Sequence, residues 1–294
     1  MRVVFQQADL DTCLGAAILG IGAEDQILWR RTGATAAELA DPSVVCLEAG
    51  GSGRTDLNNF DHHDTPQALE PACVQAFEWR GRPSIYARLV DYGRLVDTAG
   101  PLPDNGFPSV SHLISGVRFV HAAQPEKQFL ESASVLARIA ELGLDPFQPL
   151  PANREWEPYL LEKRRRMEEL PAALAGAELE DHAGLRIAFL ATDVIGAPGA
   201  LYRGGADVAV VFNPRYGIPP LGKFTIGGNG VRVDILLPLL NAVDPGWGGP
   251  AHGTIIGSPH AGTSLSFSDL RRIVIENVSL MKRDSNPGSK SVKE

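Results

Sequence analysis

The sequence predicts an α/β protein of two domains, the first built on a parallel sheet and the second a smaller α/β domain. The chain has 294 residues, more than one hydrophobic core usually organises. Its first half opens with short apolar runs that lead into helical patterns, the succession typical of a parallel sheet. Prolines at residues 146–151 mark a joint between the two halves. We expect a first domain at residues 1–122, a helical linker at 123–180, a second domain at 181–281 and a polar, disordered tail at 282–294.

The composition is that of an ordinary globular protein. Hydrophobic residues make up 44% of the chain and charged residues 21%. A formal net charge of -8 disfavours broad attraction to nucleic acid or to an anionic membrane, so a small ligand is favoured over a long nucleic acid. Three cysteines without paired spacing, and the lack of a signal-like or membrane-spanning apolar run, predict a cytoplasmic protein. Oligomerisation is left open.

Two aspartates follow the first predicted strand, residues 2–5. Asp9 and Asp11 precede a predicted helix at residues 13–21. Ligand sites of parallel α/β domains lie at the carboxyl ends of the strands, so both carboxylates could reach one metal ion. In the alternative, Asp11 or Thr12 only caps the helix, and from these residues alone the cap is favoured.

Further potential metal ligands follow the later strands. Strands are predicted at residues 27–30 and 43–47, and Glu48 ends the second of them. After a glycine-rich loop, Asp61-His62-His63 supplies a carboxylate and two imidazoles. Such a mixed donor set favours manganese, cobalt or iron. Adjacent histidines alone are more typical of a polar surface loop, but the carboxylates at other strand ends favour a metal site.

Two more acidic candidates lie in helical sequence, Asp91 and Asp97. A buried structural aspartate is the alternative for each of them. His112 and His121 lie in the next predicted helix and at its exit, and we interpret both as structural.

Asp9-x-Asp11 after the first strand, an acidic residue that ends a later strand, and Asp61-His62-His63 resemble the successive motifs of the DHH phosphoesterase family. The resemblance implies a parallel α/β domain that binds one or two divalent ions, usually manganese, which activate water for attack on phosphorus. It favours Asp97, which a threonine follows, over Asp91. It gives catalytic roles to Asp61, His62 and His63, with His63 supporting the metal ligands or touching substrate. The implied metal ligands are Asp9, Asp11, Glu48, His62 and Asp97.

Two positions depart from the family pattern. The family has a histidine four residues before the first aspartate, where this chain has Phe5, and it has a bridging aspartate where this chain has Glu48. Phenylalanine cannot bind a metal, and the glutamate carboxylate lies one methylene further from the backbone. An amide oxygen of Gln6 or Gln7 would be a weak substitute. Altered or absent catalysis is therefore expected as an alternative.

The second half resembles the DHHA1 domain that accompanies DHH domains. Strands are predicted at residues 185–191, 206–213, 223–226 and 230–233, with helices at 234–242 and 268–278. Between these helices lies a glycine-rich segment in which backbone N–H groups could contact an anion and His252 could donate to a phosphate oxygen. A tight turn is the alternative for this segment. The resemblance assigns substrate binding to Gly248, Gly249, His252 and Gly253, in a cleft between the domains.

These observations predict a metal-dependent phosphoesterase that cleaves a phosphodiester or phosphate ester of a small nucleotide or short oligonucleotide. The alternative is a degenerate DHH protein that binds a nucleotide or phosphate ligand without turnover. A pyrophosphatase-like activity is disfavoured, because that subgroup of the family has a different second domain.

Overall fold

A computed structural model describes residues 1–63, 65, 67–99, 107–194, 196–217, 219–249, 253–259 and 261–283. The chain divides into two units, Met1–Arg165 and Arg166–Glu294. The first contains a parallel sheet and the second a mostly antiparallel sheet, each packed with helices. The predicted α/β fold class is therefore confirmed.

The sheet of the first unit consists of β1 (Arg2–Phe5), β2 (Gln26–Trp29), β3 (Val44–Leu47) and β4 (Asn59–Phe60). The strands lie in the order β2-β1-β3-β4, and every neighbouring pair is parallel. Apolar residues dominate the two central strands, β1 and β3, and are buried on both faces, as expected of a parallel sheet. Because all four strands run in one direction, their carboxyl ends meet at one edge of the sheet.

Within its described residues this unit contains α1 (Leu10–Leu19), α2 (Ala36–Ala40), α3 (Ala72–Trp79), α4 (Ala87–Ala99), α5 (Val110–Val120), α6 (Pro125–Glu141) and the first part of α7 (Glu157–Leu174). Helix α1 packs against α3, α4 and α6, which explains why its residues from Leu10 to Ile18 are all buried. His112 shares a capping box with Ser109 at the start of α5, and the buried His121 ends that helix. Both histidines therefore have contacts typical of structural residues. None of the helices in the described ranges is long and apolar enough to cross a membrane.

Helix α6 lies in the segment that the sequence assigns to a linker, but it packs in the core of the first unit. Phe129, Leu136 and Ile139 belong to the same buried cluster as Val3 and Phe5. The rings of Phe5 and Phe129 are stacked with their centroids 4.4 Å apart. The amphipathic pattern of α6 thus reflects burial of its apolar face on the sheet, and the division between the units falls within α7.

The second unit contains β5 (Glu178–His182), β6 (Leu185–Ala191), α8 (Ala197–Arg203), β7 (Val208–Tyr216), β8 (Leu221–Gly228), β9 (Val231–Arg232), α9 (Leu237–Val243), β10 (Ile255–Gly257), α10 (Phe267–Glu276) and β11 (Lys282–Arg283). Its main sheet has the order β10-β8-β7-β6-β5, in which β6 and β7 pair parallel and the other neighbours antiparallel. Apolar clusters cover both faces of this sheet. Because β11 pairs with β9, the first two residues of the expected tail belong to this unit, and residues 284–294 lie outside the described residues.

Gly116 of α5 lies directly against the backbone of α7 at Tyr159. A Cβ at this position would lie 2.1 Å from the carbonyl oxygen of Tyr159, far inside van der Waals contact. We expect Gly116→Ala to lower the free energy of unfolding by about 1–3 kcal/mol through overpacking, although alanine is the better helix former by about 1 kcal/mol. Urea denaturation followed by circular dichroism measures the change.

Gly22→Ala is the matched control for this substitution. A Cβ added at Gly22 has no neighbouring atom within 4 Å, so this substitution should change the free energy of unfolding of the protein by less than about 0.5 kcal/mol. Equal effects of the two substitutions would contradict the close packing of α5 on α7.

Candidate metal centre

Asp9 and Asp11 hold the start of α1 in place by different contacts. Asp9 is the N-cap of the helix, and its Oδ1 accepts the N–H of Thr12 at 3.0 Å. The sequence favours Asp11 or Thr12 as the cap, and this expectation is wrong. Asp11 is buried in the first turn, where its two oxygens accept the N–H groups of Ala72 and Cys73 at 2.8 Å each. Asp11 therefore satisfies orphan donors at the start of α3.

Glu48 follows β3 in a strained backbone conformation. Its φ of 46° is in the left-handed region, which costs a residue with a side chain about 1–2 kcal/mol. The side chain is buried, and the Thr12 hydroxyl donates to its Oε2 at 2.6 Å. Such strain persists where the surroundings impose it, and it is concentrated at functional sites.

Asp61 organises the loop in which it lies. Its Oδ2 accepts the N–H of Gly50 at 2.6 Å, and its Oδ1 accepts the N–H of His63 at 2.7 Å and lies 3.0 Å from His63 Nδ1. The Asp61 carbonyl accepts the N–H of Gly53 at 2.9 Å. Asp61 is predicted to be catalytic, but its contacts in the structure are those of a residue that positions His63.

His62 Nε2 is the atom around which the other candidate ligands lie. It is 3.1 Å from Glu48 Oε1, 3.7 Å from Asp97 Oδ2 and 3.8 Å from Asp11 Oδ2. The candidate ligands form two groups of donors suited to a metal, and His62 belongs to both groups. The groups are Glu48, His62 and His63, and Asp11, His62 and Asp97.

Two of the predicted ligands are distinguished by their place in the structure. Asp97 of α4 joins one of the donor groups, whereas Asp91 of the same helix joins neither. Asp9 belongs to neither group. The structure therefore groups four of the five predicted ligands around His62. Asp9, the cap of α1, lies beside them with its side chain hydrogen-bonded to that of Glu48.

The charges of this site are poorly balanced in the protein alone. Burial raises the pKa of Glu48 well above its usual range, and the charges of Asp9 and Asp11 raise it further. Burial and the charge of Asp11 raise the pKa of Asp97 to about 6. Burial also raises the pKa of Asp11. Carboxylates that resist ionisation in this way lack a compensating positive charge, and a divalent ion on this nitrogen and oxygen donor set would supply it.

The charges of Asp61 and His63, unlike those of the three carboxylates, compensate each other. Burial alone would raise the pKa of Asp61, but hydrogen bonds from His63 and Gly50 outweigh it and hold the pKa below its usual value. The hydrogen bond to Asp61 raises the pKa of His63. This pair is electrostatically satisfied and does not require a metal ion.

Position 5, where the family pattern has a histidine, is part of the apolar core in this chain. Phe5 is fully buried against Phe129. The amide nitrogen of Gln6 donates to the Arg31 carbonyl at 2.9 Å, and Gln7 is exposed. The buried Phe5 ring therefore supplies no ligand at position 5.

Thr12 and Gln75 are polar partners of the site that the sequence did not reveal. Thr12, which the sequence suggests only as a cap, is fully buried, and its hydroxyl donates to Glu48 Oε2. The Gln75 amide donates to the Asp61 carbonyl at 2.9 Å. A polar residue among apolar neighbours in α1 was the available signal for Thr12, and no sequence feature indicated Gln75.

The glycine-rich segment of the second unit is described only in part, and His252 lies outside the described residues together with positions 250 and 251. Gly248 donates its N–H to the Gly257 carbonyl at 3.1 Å, so that donor is already engaged. A Cβ on Gly249 would lie 2.2 Å from the Ile255 carbonyl oxygen, and one on Gly253 would lie 2.7 Å from the Asp234 carboxylate. Close packing explains Gly249 and Gly253, and the part of the three glycines in phosphate binding stays a prediction.

Comparison with known proteins gives a structural likeness. No protein-family model and no curated protein sequence matches the chain. A pGpG-specific phosphodiesterase, PggH from Vibrio cholerae, has a similar structure, with a TM-score of 0.58 and 13% identity over 95% of this chain and 98% of that one. The chain shares the fold of that phosphodiesterase. This likeness agrees with the resemblance to DHH phosphoesterases seen in the sequence motifs.

A second solved structure, the DHH domain of a protein described as a member of a family of ribosomal proteins, is more distant. Its TM-score is 0.48 at 13% identity, over 96% of this chain and 87% of that one. A TM-score this low carries no argument about function.

The unbalanced charge of Glu48 predicts a stability effect in the metal-free protein. Because its folded pKa is raised above the ordinary value of 4.5, the folded chain keeps this proton to higher pH than the unfolded chain does. Stability is therefore lost as the pH rises from that value through the folded pKa. We expect Glu48→Gln, measured by urea denaturation with chelator at pH 7, to raise the free energy of unfolding by about 1–2 kcal/mol. The gain should disappear near pH 4.

Glu38→Gln is the matched control, with the opposite expected sign. Glu38 is also buried, but its capping hydrogen bonds with Thr35 and its contact with Arg30 lower its pKa. Ionised Glu38 stabilises the fold above its unfolded pKa, and this contribution is lost as the pH falls. Its substitution should therefore lower the free energy of unfolding at pH 7. Effects of the same sign in both variants would contradict the electrostatic account of the site.

Proposed function

We propose that the chain is a metal-dependent phosphoesterase that cleaves a phosphodiester or phosphate ester of a small nucleotide or short oligonucleotide. The observation that supports this function is the convergence of Asp11, Glu48 and Asp97 on His62 Nε2, at the edge where the parallel strands end. Nitrogen and carboxylate oxygen donors together suit manganese, cobalt or iron, and manganese is the first ion to test. A divalent ion in such a centre lowers the pKa of bound water and neutralises charge that develops on phosphorus.

The surrounding residues of the chain have separate tasks in this proposal. His62 and the three carboxylates bind the metal, and the Thr12 hydroxyl orients Glu48. Asp61 holds His63 through Nδ1, and the His63 side chain is 59% exposed. The raised pKa of His63 favours its cationic form, which suits contact with a phosphate oxygen. We therefore assign His63 to substrate and Asp61 to its orientation.

The choice of a small substrate rests on charge and on the structural likeness. A net charge of -8 disfavours a long polyanion. The phosphodiesterase that shares this fold is specific for pGpG, which supports pGpG as the first compound to test. A mononucleotide ester and a longer single-stranded oligonucleotide complete the comparison.

Binding without turnover is the second candidate, and Phe5 is the observation that favours it. This side chain is part of the apolar core where the family pattern has a histidine, so the centre lacks one nitrogen ligand. Under this alternative the chain still binds the nucleotide, with the phosphate close to His63, but cleavage is absent.

Hydrolysis of pGpG by the manganese-loaded protein, followed by anion-exchange chromatography, separates the two candidates. We expect metal-dependent cleavage, and a loss of at least about 100-fold in kcat/KM for His62→Ala because the shared ligand is removed. His182→Ala is the control, since His182 lies in the second unit, where it contacts Glu180. Binding of pGpG without cleavage, measured by calorimetry, would favour the second candidate. Full activity of His62→Ala would contradict the assignment of either function, catalysis or binding, to this centre.

A further inference from the structure

We propose that Lys163 and Arg164 of α7, outside the metal centre, bind phosphates of a short single-stranded oligonucleotide. These two residues, here called the α7 cation pair, begin the longest basic run of the sequence, Lys163-Arg164-Arg165-Arg166. The inference rests on the proposed function and specifies its substrate, because it adds contacts for nucleotides beyond the phosphate that is cleaved.

The four cations of this run differ in their partners. Arg165 Nη2 lies 2.6 Å from Glu162 Oε1, and Arg166 Nη1 lies 3.5 Å from Glu169 Oε2. Among the residues that the structure describes, no carboxylate forms an ion pair with either member of the α7 cation pair. Two charges of the run are therefore neutralised locally, and the other two remain to attract an anion.

Each member of the α7 cation pair lies over an aromatic ring. The Lys163 ammonium is 5.5 Å from the centroid of the Phe119 ring, and the guanidinium carbon of Arg164 is 4.9 Å from the centroid of the Phe107 ring. The face of such a ring attracts a cation but carries no full negative charge. These contacts hold two long side chains in place, which reduces the entropy lost when the side chains bind an anion.

The surroundings of the two cations favour an anionic ligand in different ways. Lys163 is partly buried, and burial lowers the pKa of its ammonium without an opposing effect from a described carboxylate. A phosphate beside this ammonium would compensate for the lost hydration. Arg164 is exposed, and a planar guanidinium binds two oxygens of one phosphate at once.

The positions of the two rings indicate a ligand with more than one phosphate. Phe107 precedes α5, and Phe119 lies in its last turn. Helix α5 has 11 residues and is therefore about 16 Å long. The two cations are thus directed to opposite ends of this helix and suit separate phosphates of one strand. Proteins bind single strands through cations placed along the backbone in this way. Only two contacts are available, which limits the surface to a short strand and agrees with the net charge of -8.

Fluorescence anisotropy with a labelled single-stranded hexanucleotide tests this surface on the full chain, with chelator present to prevent cleavage. Each contact between a cation and a phosphate of a single strand contributes about 0.7 to the steepness of log K against log salt concentration. Lys163→Gln and Arg164→Gln should each reduce the steepness by about 0.7 and raise the Kd at least about fivefold at about 50 mM salt. Arg164→Lys keeps the charge and should keep the steepness.

Arg165→Gln is the matched control, because it removes a neighbouring cation that Glu162 already neutralises. Its Kd should differ from that of wild type by less than about twofold. Circular dichroism verifies folding. If Lys163→Gln does not fold, Arg164→Gln alone carries the test, since the Arg164 side chain is exposed.

Three results would overturn the inference: equal effects of Arg164→Gln and Arg165→Gln, an unchanged salt dependence in both variants of the α7 cation pair, or no binding of the hexanucleotide by wild type. Displacement of the probe by a poly-glutamate peptide as effectively as by unlabelled oligonucleotide would show an unselective anion surface and would also overturn it. All of these results leave the phosphoesterase proposal intact, because pGpG hydrolysis tests the metal centre separately. Conversely, hexanucleotide binding as expected without any hydrolysis of pGpG would overturn the catalytic proposal alone.

Discussion

Parallel pairing of β1, β3 and β4 is the constraint on which the site depends. Because these strands run in one direction, the residues that follow each of them emerge at the same edge of the sheet. Asp11, Glu48 and His62 are far apart in sequence and become neighbours for this reason alone. Asp97 reaches the same place from α4, which packs against α1. A change that shifted the register of β3 would therefore separate the ligands as well as disturb the core.

Glu48 and the buried carboxylates destabilise the fold at this edge of the sheet, and nearby hydrogen bonds offset part of that cost. Glu48 combines a left-handed backbone with a buried carboxylate. The Thr12 hydroxyl satisfies one of its oxygens, and the first N–H groups of α3 satisfy Asp11. These hydrogen bonds satisfy the carboxylates as acceptors but bring no full positive charge. A cation would supply that charge, so metal binding and stability are coupled at this site.

Much of the fold was predictable because hydrophobic patterns follow the period of each element. The predicted strands at residues 2–5 and 185–191 coincide with β1 and β6, and the strand at 43–47 differs from β3 by one residue at its start. The two-residue strand β4 and the polar edge strand β5 were missed, because neither has an apolar run. Burial of α6 was missed because an amphipathic helix shows which face is apolar but not what covers it.

The ligands were predictable to the extent that strand ends can be identified in a sequence. This rule gave Asp9, Asp11 and Glu48 as equal candidates, but the separate roles of the two aspartates depend on the start of α3, about 60 positions away. The resemblance to the DHH motifs already favoured Asp97 over Asp91. The two side chains lie on different faces of α4, because six residues along a helix turn a side chain by about 240°.

Phe5 shows how the core and the site compete for one position. The last residue of β1 can contribute either a metal ligand or an apolar surface for α6, and here its ring stacks on Phe129. A histidine at this position would bury an imidazole against the Phe129 ring, where a polar group without a hydrogen-bond partner is costly. Phe5→His alone would therefore change the packing of α6 together with the donor set. The stacking of Phe5 on Phe129 therefore links this position at the edge of the site to the packing of α6 on the sheet.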